Sequence, residues 1–390
     1  MDFRFTAEED AFRAEVREFI KKEMPASLAE AMAQGEGYEP ELWDLTRTLR
    51  KKLAAKGWIG VSWPKEYGGM GKPPTYQAIF KEEMAYWRCP GIDAQAYQLG
   101  PAIIVHGTEE IKKKYLGGIA RAEVTWCQGF SEPNAGSDLA SLQTRAVRDG
   151  DDWVINGQKI WTSGAHTADY IHLLARTDPN APKHKGITYF LFSMHTPGVT
   201  VKPIRQMDNG QGFNEVYFDN VRIPANSVFG EVNRGWYVAT TTLDFERSNV
   251  ANSAAARRNL TDLLAFLKGT PTGKYLLRNP LLRYRFADMM VQNAVARNLS
   301  YRVIAMQAKG LVPNMEASLA KLFSADANAN AAWFAMDTVS LYGQLEPGTK
   351  YTPLLGQIER SYLRTGCRVG GGSPEIQRNV IAQRGLGLPR

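Results

Sequence analysis

Short β-strand patterns lie between two long helical stretches in this sequence of 390 residues, and that order limits the folds open to it. Before residue 126 and after Gly235, apolar residues recur at the spacing of amphipathic helices. The strand-like runs, separated by Gly, Pro, Asn and Asp, lie at 153–155, 158–161, 170–174, 187–192, 199–203 and 215–218. Strands at this spacing predict a β-barrel or sandwich of about 100 residues. The sequence therefore predicts an α+β fold with a helical domain at 1–125, a β domain at 126–232 and a helical domain at 233–390.

Local signals support the first helices. Thr6 and Glu9 have the spacing of a capping box at a helix start, and Pro25 predicts the end of that helix. A second helical pattern runs over 41–56 and ends before Gly57. These signals depend on neighbouring residues alone, so the sequence predicts both helices directly.

The dipeptide Asn156-Gly157 is the strongest turn signal of the chain. Asn-Gly favours the positive φ angles of a type I′ turn between two strands. The sequence therefore predicts a hairpin that pairs 153–155 with 158–161.

The composition is that of a globular protein. Apolar residues make up 44% and charged residues 22%, which excludes a disordered chain. Lys and Arg number 47 against 40 Asp and Glu, so the formal charge is +7. This mild basic excess is compatible with an anionic small ligand. Basic runs such as 112–114 are not interleaved with aromatic residues, so nucleic-acid binding is not predicted.

Cysteine and histidine patterns predict neither a disulfide framework nor a metal site. Cys89, Cys127 and Cys367 form no CxxC pair, and the five histidines show no ligand spacing. We expect three buried, reduced thiols. The N-terminus has no secretory h-region and no apolar run reaches about 18 residues, so a cytoplasmic protein without a membrane span is predicted.

The segment 128–138, Gln-Gly-Phe-Ser-Glu-Pro-Asn-Ala-Gly-Ser-Asp, is the densest candidate for ligand binding. Its small residues expose backbone N–H groups, and its Ser hydroxyls can donate to phosphate or to ring heteroatoms. A plain surface loop is the alternative. The phosphate-binding motifs GxGxxG and GxxxxGK[ST] are missing from the sequence, so a nucleotide would be bound by neither a Rossmann loop nor a P-loop. About twenty residues later, 156–163 adds an aromatic residue and two hydroxyls.

Five motifs in one order resemble the acyl-CoA dehydrogenase family over essentially the whole chain. They are Ser131-Glu-Pro-Asn-Ala-Gly-Ser-Asp138, Asn156-Gly-Gln-Lys-Ile-Trp161, Phe218-Asp-Asn-Val-Arg-Ile-Pro224, Leu243-Asp-Phe-Glu-Arg247 and Ile376-Gln-Arg378. The resemblance implies a C-terminal four-helix-bundle-like domain, bound FAD, an acyl-CoA substrate and α,β-dehydrogenation with electrons passed to an electron-transfer flavoprotein. It also implies a homo-oligomer, with a tetramer expected, or a heteromer with a related subunit.

The resemblance assigns roles residue by residue. Trp161 is similar to the ring that packs against the flavin, although a Trp after a strand is also an ordinary core residue. The other cofactor contacts implied are Gln128, Phe130, Ser131, Ser137, Ser163, Arg283, Ser373 and Glu375. Ser137, Asp244 and Arg247 match residues that line the acyl-CoA site.

The general base departs from the common pattern. In many members a Glu precedes the Ile-Gln-Arg motif, and Gly371 stands in that place here. Glycine cannot take a proton. Glu246 occupies the position that the isovaleryl-CoA and long-chain branches use, and no cation lies one helical turn from it, so its pKa is expected to rise. The alternative is that Glu246 pairs with a cation from elsewhere in the fold.

Two further residues bear on catalysis. Glu375 is a rival base, but Ser373-Pro374 has the pattern of a helix start, which places Glu375 in a first turn that favours carboxylates. By resemblance, the backbone N–H of Gly371 binds the thioester carbonyl. We therefore expect Glu246 as the base and Gly371 as the carbonyl donor.

Other departures leave the assembly and the activity open. The family often has Gln where Ser340 stands and Gly where Gln344 stands, in a strip that reaches the FAD of a neighbouring subunit. A non-catalytic or half-site subunit of a heteromer is therefore an alternative, as is a flavin oxidase or monooxygenase on the same fold. By family analogy, the base position favours a branched, cyclic or long acyl group.

Overall fold

The computed structural model describes residues 4–34, 40–92, 94–246 and 249–389, and no side chains at 33, 34, 40, 41 and 244–246. Helices in these ranges are α1 Ala7–Glu23, α2 Ala26–Gln34, α3 Pro40–Ala55, α4 Pro74–Tyr86, α5 Ala94–His106, α6 Glu109–Ala120, α7 Gly235–Glu246, α8 Val250–Gly269, α9 Pro271–Leu276, α10 Pro280–Ala308, α11 Asn314–Val339, α12 Gln357–Leu363 and α13 Pro374–Val380. Strands are β1 Trp126–Gly129, β2 Arg145–Asp149, β3 Asp152–Lys159, β4 Tyr170–Arg176, β5 Ile187–Ser193, β6 Val199–Ile204 and β7 Phe213–Pro224. The predicted α+β order of helices, strands and helices is confirmed.

The chain divides into two compact units. A sheet unit comprises Arg50–Gly71 and Asp93–Glu246, and a bundle unit comprises Met1–Leu49, Lys72–Ile92 and Arg247–Arg390. The three domain ranges proposed from the sequence stay a prediction.

The sheet unit is built around one mixed sheet of seven strands. The order is β1-β4-β2-β3-β7-β6, and β5 pairs with β4. β4 runs parallel to β1 and β2, while the other pairs are antiparallel. The alternating inward residues form one core that includes Ile155, Leu173, Phe190, Val216 and Phe218. β4 to β7 cover the predicted runs at 170–174, 187–192, 199–203 and 215–218.

The predicted hairpin at Asn156-Gly157 is wrong. β3 runs straight through this dipeptide and pairs with β7, with a register shift between Ile155 and Gly157. The Asn156 side chain accepts from the Asn220 N–H at 2.9 Å. Gly157 has φ 149°, and a Cβ there would lie 2.6 Å from the Thr144 hydroxyl. The dipeptide therefore forms a β-bulge, because two neighbouring strands hold it extended. The hairpin turn lies at 150–151, between β2 and β3.

The predicted helix signals hold. α1 begins after Thr6, whose hydroxyl accepts from the Glu9 N–H while the Glu9 carboxylate accepts from the Thr6 N–H. α1 ends at Glu23, before Pro25, and α3 ends before Gly57.

A cluster of charged side chains lies inside the bundle unit. Glu82 on α4 is 1% exposed and accepts from Arg13 at 2.9 Å, from Tyr301 at 2.7 Å and from Arg297. Its neighbour Glu83 accepts from Arg13 at 2.6 Å. Burial alone would raise the pKa of Glu82, but the hydrogen bond and charge of Arg297, with Arg13 and Tyr301, lower it to about 2. These contacts tie α1, α4 and α10 together.

Two of the three cysteines are buried and one is exposed. Cys89 and Cys127 are buried, as expected, and burial raises the pKa of Cys89 to about 12. Cys367 is exposed, which corrects the expectation of three buried thiols, because it lies in a short 3₁₀ segment at the surface of the bundle unit. Within the described ranges, each helix is too short or too polar to cross a membrane.

Candidate functional site

Two predicted cofactor segments lie side by side in the sheet unit. The first follows β1 and contains Phe130 and Ser131, and the second follows β3 and contains Trp161. The Ile160 N–H donates to the Ser131 carbonyl at 3.0 Å, and the Lys159 Nζ donates to the Phe130 carbonyl at 2.9 Å. The fold therefore joins residues 130–131 to residues 159–160, directly before Trp161, and the cofactor roles of both segments stay predictions.

A buried ion pair holds the first segment in place. Lys159 is fully buried and donates to Glu132 Oε1 at 2.8 Å, while Glu132 also accepts from the backbone N–H groups of Gln143 and Thr144. Burial lowers the pKa of Lys159 to about 8 even though Glu132 opposes the shift. For Glu132 burial acts upward, but the charge of Lys159 outweighs it and lowers the pKa. Removing one partner would leave the other charge buried and unpaired.

Trp161 combines exposure with a strained backbone. Its side chain is 56% exposed, and its φ of 61° is rare for a bulky residue. The next residue, Thr162, holds this geometry through two hydrogen bonds. Its N–H donates to the Asn214 carbonyl at 3.0 Å, and its carbonyl accepts from the Asn214 side-chain amide at 2.9 Å. The ring packs edge-on against Phe213. Because more than half of the side chain is exposed, Trp161 is not a core residue. Backbone strain of this kind is concentrated at ligand-binding sites.

Two buried polar groups of the predicted cofactor segments lack hydrogen-bond partners within the described part of the chain. Among the described residues, the buried Nε2 of Gln128 has no hydrogen-bond acceptor, and the buried hydroxyl of Thr162 has no partner. Ser163 and Ser137 are exposed, and Ser131 is half-buried. Buried donors are nearly always paired in native proteins, so the Gln128 amide points to a ligand with an acceptor atom. A planar ring with hydrogen-bond acceptors fits these groups.

Three more predicted residues belong to the end of the bundle unit. Gly371 has φ 67°, a conformation that a carboxylate-bearing residue would adopt only with strain. Ser373 caps α13 by accepting from the Ile376 N–H at 3.3 Å, which places Glu375 in the first turn as predicted. Glu375 is exposed and lies 3.8 Å from Arg378. A backbone hydrogen bond and the Ser373 hydroxyl lower its pKa, the opposite of what a base near neutral pH needs.

The remaining predicted residues are exposed or lie outside the described residues. Arg283 is exposed in the first turn of α10. Ser340 is exposed at the end of α11 with φ 54°. α7 extends to Glu246, but the side chains of Asp244 and Glu246, and all of Arg247, lie outside the described residues. Their roles stay predictions.

Family models identify the chain over nearly its whole length. The model "Acyl-CoA dehydrogenase, N-terminal domain" matches residues 6–123, the middle-domain model matches 127–221 and the C-terminal-domain model matches 233–386. The chain belongs to the acyl-CoA dehydrogenase family. It is therefore an enzyme of the oxidoreductase class, as predicted.

Similar proteins agree with this family. Acyl-CoA dehydrogenase IpdE1 of Mycobacterium tuberculosis is 36% identical over 387 residues, which cover 98% of each chain. The solved structure of the "Tcur3481-Tcur3483 steroid ACAD" has a TM-score of 0.91 at 35% identity, with 100% of each chain covered. The structure of the ChsE4-ChsE5 complex from Mycobacterium tuberculosis has a TM-score of 0.90 at 31% identity, again with 100% of each chain covered.

In this acyl-CoA dehydrogenase, a buried histidine, His172, lies behind the predicted cofactor segment. Its spacing in the sequence predicts only a structural or surface residue. His172 Nδ1 lies 2.6 Å from the Tyr189 hydroxyl, and Nε2 lies 2.6 Å from Gln95 Oε1. Because the Gln95 oxygen can only accept, Nε2 carries the proton and Nδ1 accepts from Tyr189. Its ring meets Phe130 edge-on at 5.5 Å, and Tyr189 reaches Thr242 on α7. No local pattern reveals this network, since its members come from α5, β4, β5 and α7.

The stability of the sheet unit should depend on pH through His172. Burial lowers its pKa from 6.5 to about 3, so the unfolded chain takes up a proton that the folded chain refuses. The contribution of uncharged His172 to the stability is complete above about pH 6.5 and is lost as the pH falls below that value. Between pH 7.5 and 5.5 the loss should be about 1.4 kcal/mol. Urea unfolding of the wild type and of His172→Gln at both pH values measures it, and an equal pH response in both proteins would contradict the assignment.

Proposed function

We propose that the protein removes one hydrogen each from Cα and Cβ of an acyl-CoA thioester, with FAD as its cofactor. Two observations carry this proposal: Trp161 is exposed with a positive φ, and the buried Gln128 Nε2 has no acceptor among the residues that the structure describes. The flavin ring is planar and has acceptor atoms, so it fits both groups. Bound FAD would supply the acceptor for the hydride that leaves Cβ. By resemblance to the family, we assign further cofactor contacts to Phe130, Ser131, Ser137, Ser163, Arg283, Ser373 and Glu375.

The proton chemistry falls to residues of this chain. Glu246 would remove the α-proton as a carboxylate, and the Gly371 N–H would donate to the thioester carbonyl. This donation would stabilise the negative charge that develops on the carbonyl oxygen as the α-proton leaves. The positive φ of Gly371 supports these separate roles for Glu246 and Gly371, because this conformation favours glycine, which supplies a backbone N–H and has no side chain. Asp244, Arg247 and Ser137 would line the acyl-CoA site.

The acyl group is proposed to be bulky. A solved relative with 35% identity is described as a steroid ACAD, and the position of Glu246 points to branched, cyclic or long acyl groups. Electrons would pass to an electron-transfer flavoprotein.

A second candidate is a half-site subunit in a heteromer. Two of the similar solved structures are described by paired names, Tcur3481-Tcur3483 and ChsE4-ChsE5. This chain also has Ser340 and Gln344 where the family strip that reaches a neighbouring FAD often has Gln and Gly. Under this proposal the chain needs a related partner for a complete flavin site, whereas a homotetramer would complete it with copies of itself.

Purification of the chain alone separates the two candidates. Stoichiometric FAD that loses its absorbance on anaerobic addition of an acyl-CoA supports the dehydrogenase. A colourless protein that gains flavin and activity when a related subunit is co-expressed supports the half-site subunit. Oxygen consumption without another electron acceptor would instead indicate an oxidase or monooxygenase. A flavin-free protein that no partner rescues would contradict both candidates.

A further inference from the structure

A buried network of hydrogen bonds crosses the interior of the sheet unit from α5 to α7. Its members are Gln95 on α5, His172 on β4, Tyr189 on β5 and Thr242 on α7. The side chains of His172, Tyr189 and Thr242 are fully buried, and Gln95 is 9% exposed. A buried polar network whose groups are all paired fixes one arrangement of the elements that carry it.

The donors and acceptors of the buried network run in one direction. Gln95 Oε1 can only accept, so His172 donates from Nε2 and accepts at Nδ1 from the Tyr189 hydroxyl, each at 2.6 Å. The Tyr189 oxygen then accepts from the Thr242 hydroxyl at 3.4 Å. This order requires a neutral imidazole, and burial supplies it by lowering the pKa of His172 to about 3. Each donor of the network therefore has an acceptor.

The middle of the network lies against the first predicted cofactor segment. The Phe130 ring is 4% exposed and meets the His172 ring edge-on at 5.5 Å and the Tyr189 ring edge-on at 5.7 Å. β1 pairs with β4 in a register that sets Gln128 opposite His172. The two rings of the network therefore fix the place where the chain leaves β1, and with it the direction of the segment that follows.

The other end of the network holds α7. Thr242 is fully buried in this helix, and the backbone of Glu246 lies one turn later, about 6 Å along the axis. The hydrogen bond between Tyr189 and Thr242 therefore restrains the rotation and the axial position of the turn that leads to Glu246. A displacement of about 1 Å at a reacting group can slow a reaction by about 100-fold, so such a restraint matters for catalysis.

We infer that the buried network positions Glu246, the proposed base, relative to Phe130, a proposed cofactor contact. Its four members act through the Phe130 ring and through α7, so they are positioning residues. The network joins the two segments because Tyr189 contacts Phe130 with its ring and Thr242 with its hydroxyl. This inference rests on the proposed dehydrogenase function, which assigns the proton transfer to Glu246 and the cofactor contact to Phe130.

Variants that remove one hydroxyl and keep the shape of the side chain test this inference in the FAD-loaded protein. The probe is the fastest-reacting thioester among butyryl-, isovaleryl-, palmitoyl- and decalin-propanoyl-CoA. Tyr189→Phe and Thr242→Val should each lower the maximal rate of anaerobic flavin reduction by about five- to fiftyfold. The thioester concentration that gives half of this rate should stay unchanged, because substrate binding is not affected. Thr242→Ser keeps a hydroxyl and should recover most of the rate.

Tyr97→Phe is the matched control for Tyr189→Phe. Tyr97 is a buried tyrosine of the same unit, and its hydroxyl donates to the Trp58 carbonyl at 3.2 Å. This variant also removes one buried hydroxyl, but at a bond to 58 rather than to α7. Its rate of flavin reduction should remain that of the wild type.

Amide hydrogen exchange of the same proteins provides a readout that does not depend on activity. In Tyr189→Phe and Thr242→Val, exchange should become faster both at 126–131 and in α7, whereas Tyr97→Phe should leave both segments unchanged. If no thioester reduces the wild-type flavin, the dehydrogenase is contradicted, and exchange alone decides whether the network holds the two segments together. Unchanged exchange in both segments would then overturn the inference.

With an active wild type, three results would overturn the inference. The first is a normal rate of flavin reduction in Tyr189→Phe and Thr242→Val. The second is an equal slowing in Tyr97→Phe, which would show a general effect of a lost buried hydroxyl. The third is a Thr242→Ser variant as slow as Thr242→Val, because the hydroxyl would then not be responsible.

Discussion

In the Glu246→Gln variant, loss of flavin absorbance after addition of an acyl-CoA should slow by about 10²- to 10⁴-fold, the contribution of a general base. The amide has nearly the same shape as the carboxylate but cannot take the α-proton. FAD content should remain that of the wild type, since Glu246 is not among the proposed cofactor contacts. Stopped-flow measurement of the anaerobic half-reaction checks the rate, and the absorbance spectrum checks the cofactor.

Glu375→Gln is the control for this experiment. Glu375 is exposed in the first turn of α13, and its lowered pKa makes it a poor base. Its replacement can lower the FAD content, because Glu375 is a proposed cofactor contact, but the half-reaction rate of the FAD-loaded fraction should change little. If Glu246→Gln reacts at the wild-type rate while Glu375→Gln is inactive, the two roles are reversed. If both variants react normally, the base is another residue.

Replacement of Glu82 by Ala should produce the largest loss of stability. The carboxylate is buried and accepts hydrogen bonds from Arg13, Arg297 and Tyr301. Without it, cationic groups stay inside the bundle unit with less compensation, which costs about 3–5 kcal/mol when a buried pair is broken. Urea unfolding followed by tryptophan fluorescence measures the difference in the free energy of unfolding.

The pH dependence provides an internal check on Glu82. Its pKa is about 2 in the folded protein and 4.5 by default, so its contribution is complete above about pH 4.5 and is lost as the pH falls towards 2. The gap between wild type and Glu82→Ala should therefore shrink below pH 4. Glu18→Ala, which removes an exposed carboxylate 3.8 Å from Lys21, should cost less than about 1 kcal/mol. A loss from Glu82→Ala as small as that from Glu18→Ala would show that the cluster contributes little.

The elements that the sequence predicted well depend on neighbouring residues. The capping box of Thr6 and Glu9, the Ser373 cap of α13 and the strand runs of β4 to β7 are all signals within a few residues. The candidate cofactor segments are predictable from the sequence for a related reason. Their small residues and hydroxyls stand consecutively at 128–138 and 156–163, so the chemistry is visible without a fold.

The fold decided what depends on residues far apart in the chain. Asn156-Gly157 has the composition of a turn, yet pairing with β7 keeps it in a strand, because hydrogen bonds on both sides of β3 outweigh a local turn preference. Lys159 lies in the motif 156–161, but its structural role depends on the buried ion pair with Glu132, which lies 27 residues earlier. A lysine within an otherwise strand-like run was the signal available for it.

The sequence by itself determined the family, the order of helices and strands, and the residue types of the candidate cofactor segments. The tertiary structure alone decided which of these groups are strained, buried or left without partners. Within the described part of the chain it showed the positive φ of Trp161, the Gln128 amide without an acceptor and the neutral His172. The physical reason is that periodicity and capping are local properties of the chain. Desolvation, strain and hydrogen-bond satisfaction depend on atoms that only folding brings together.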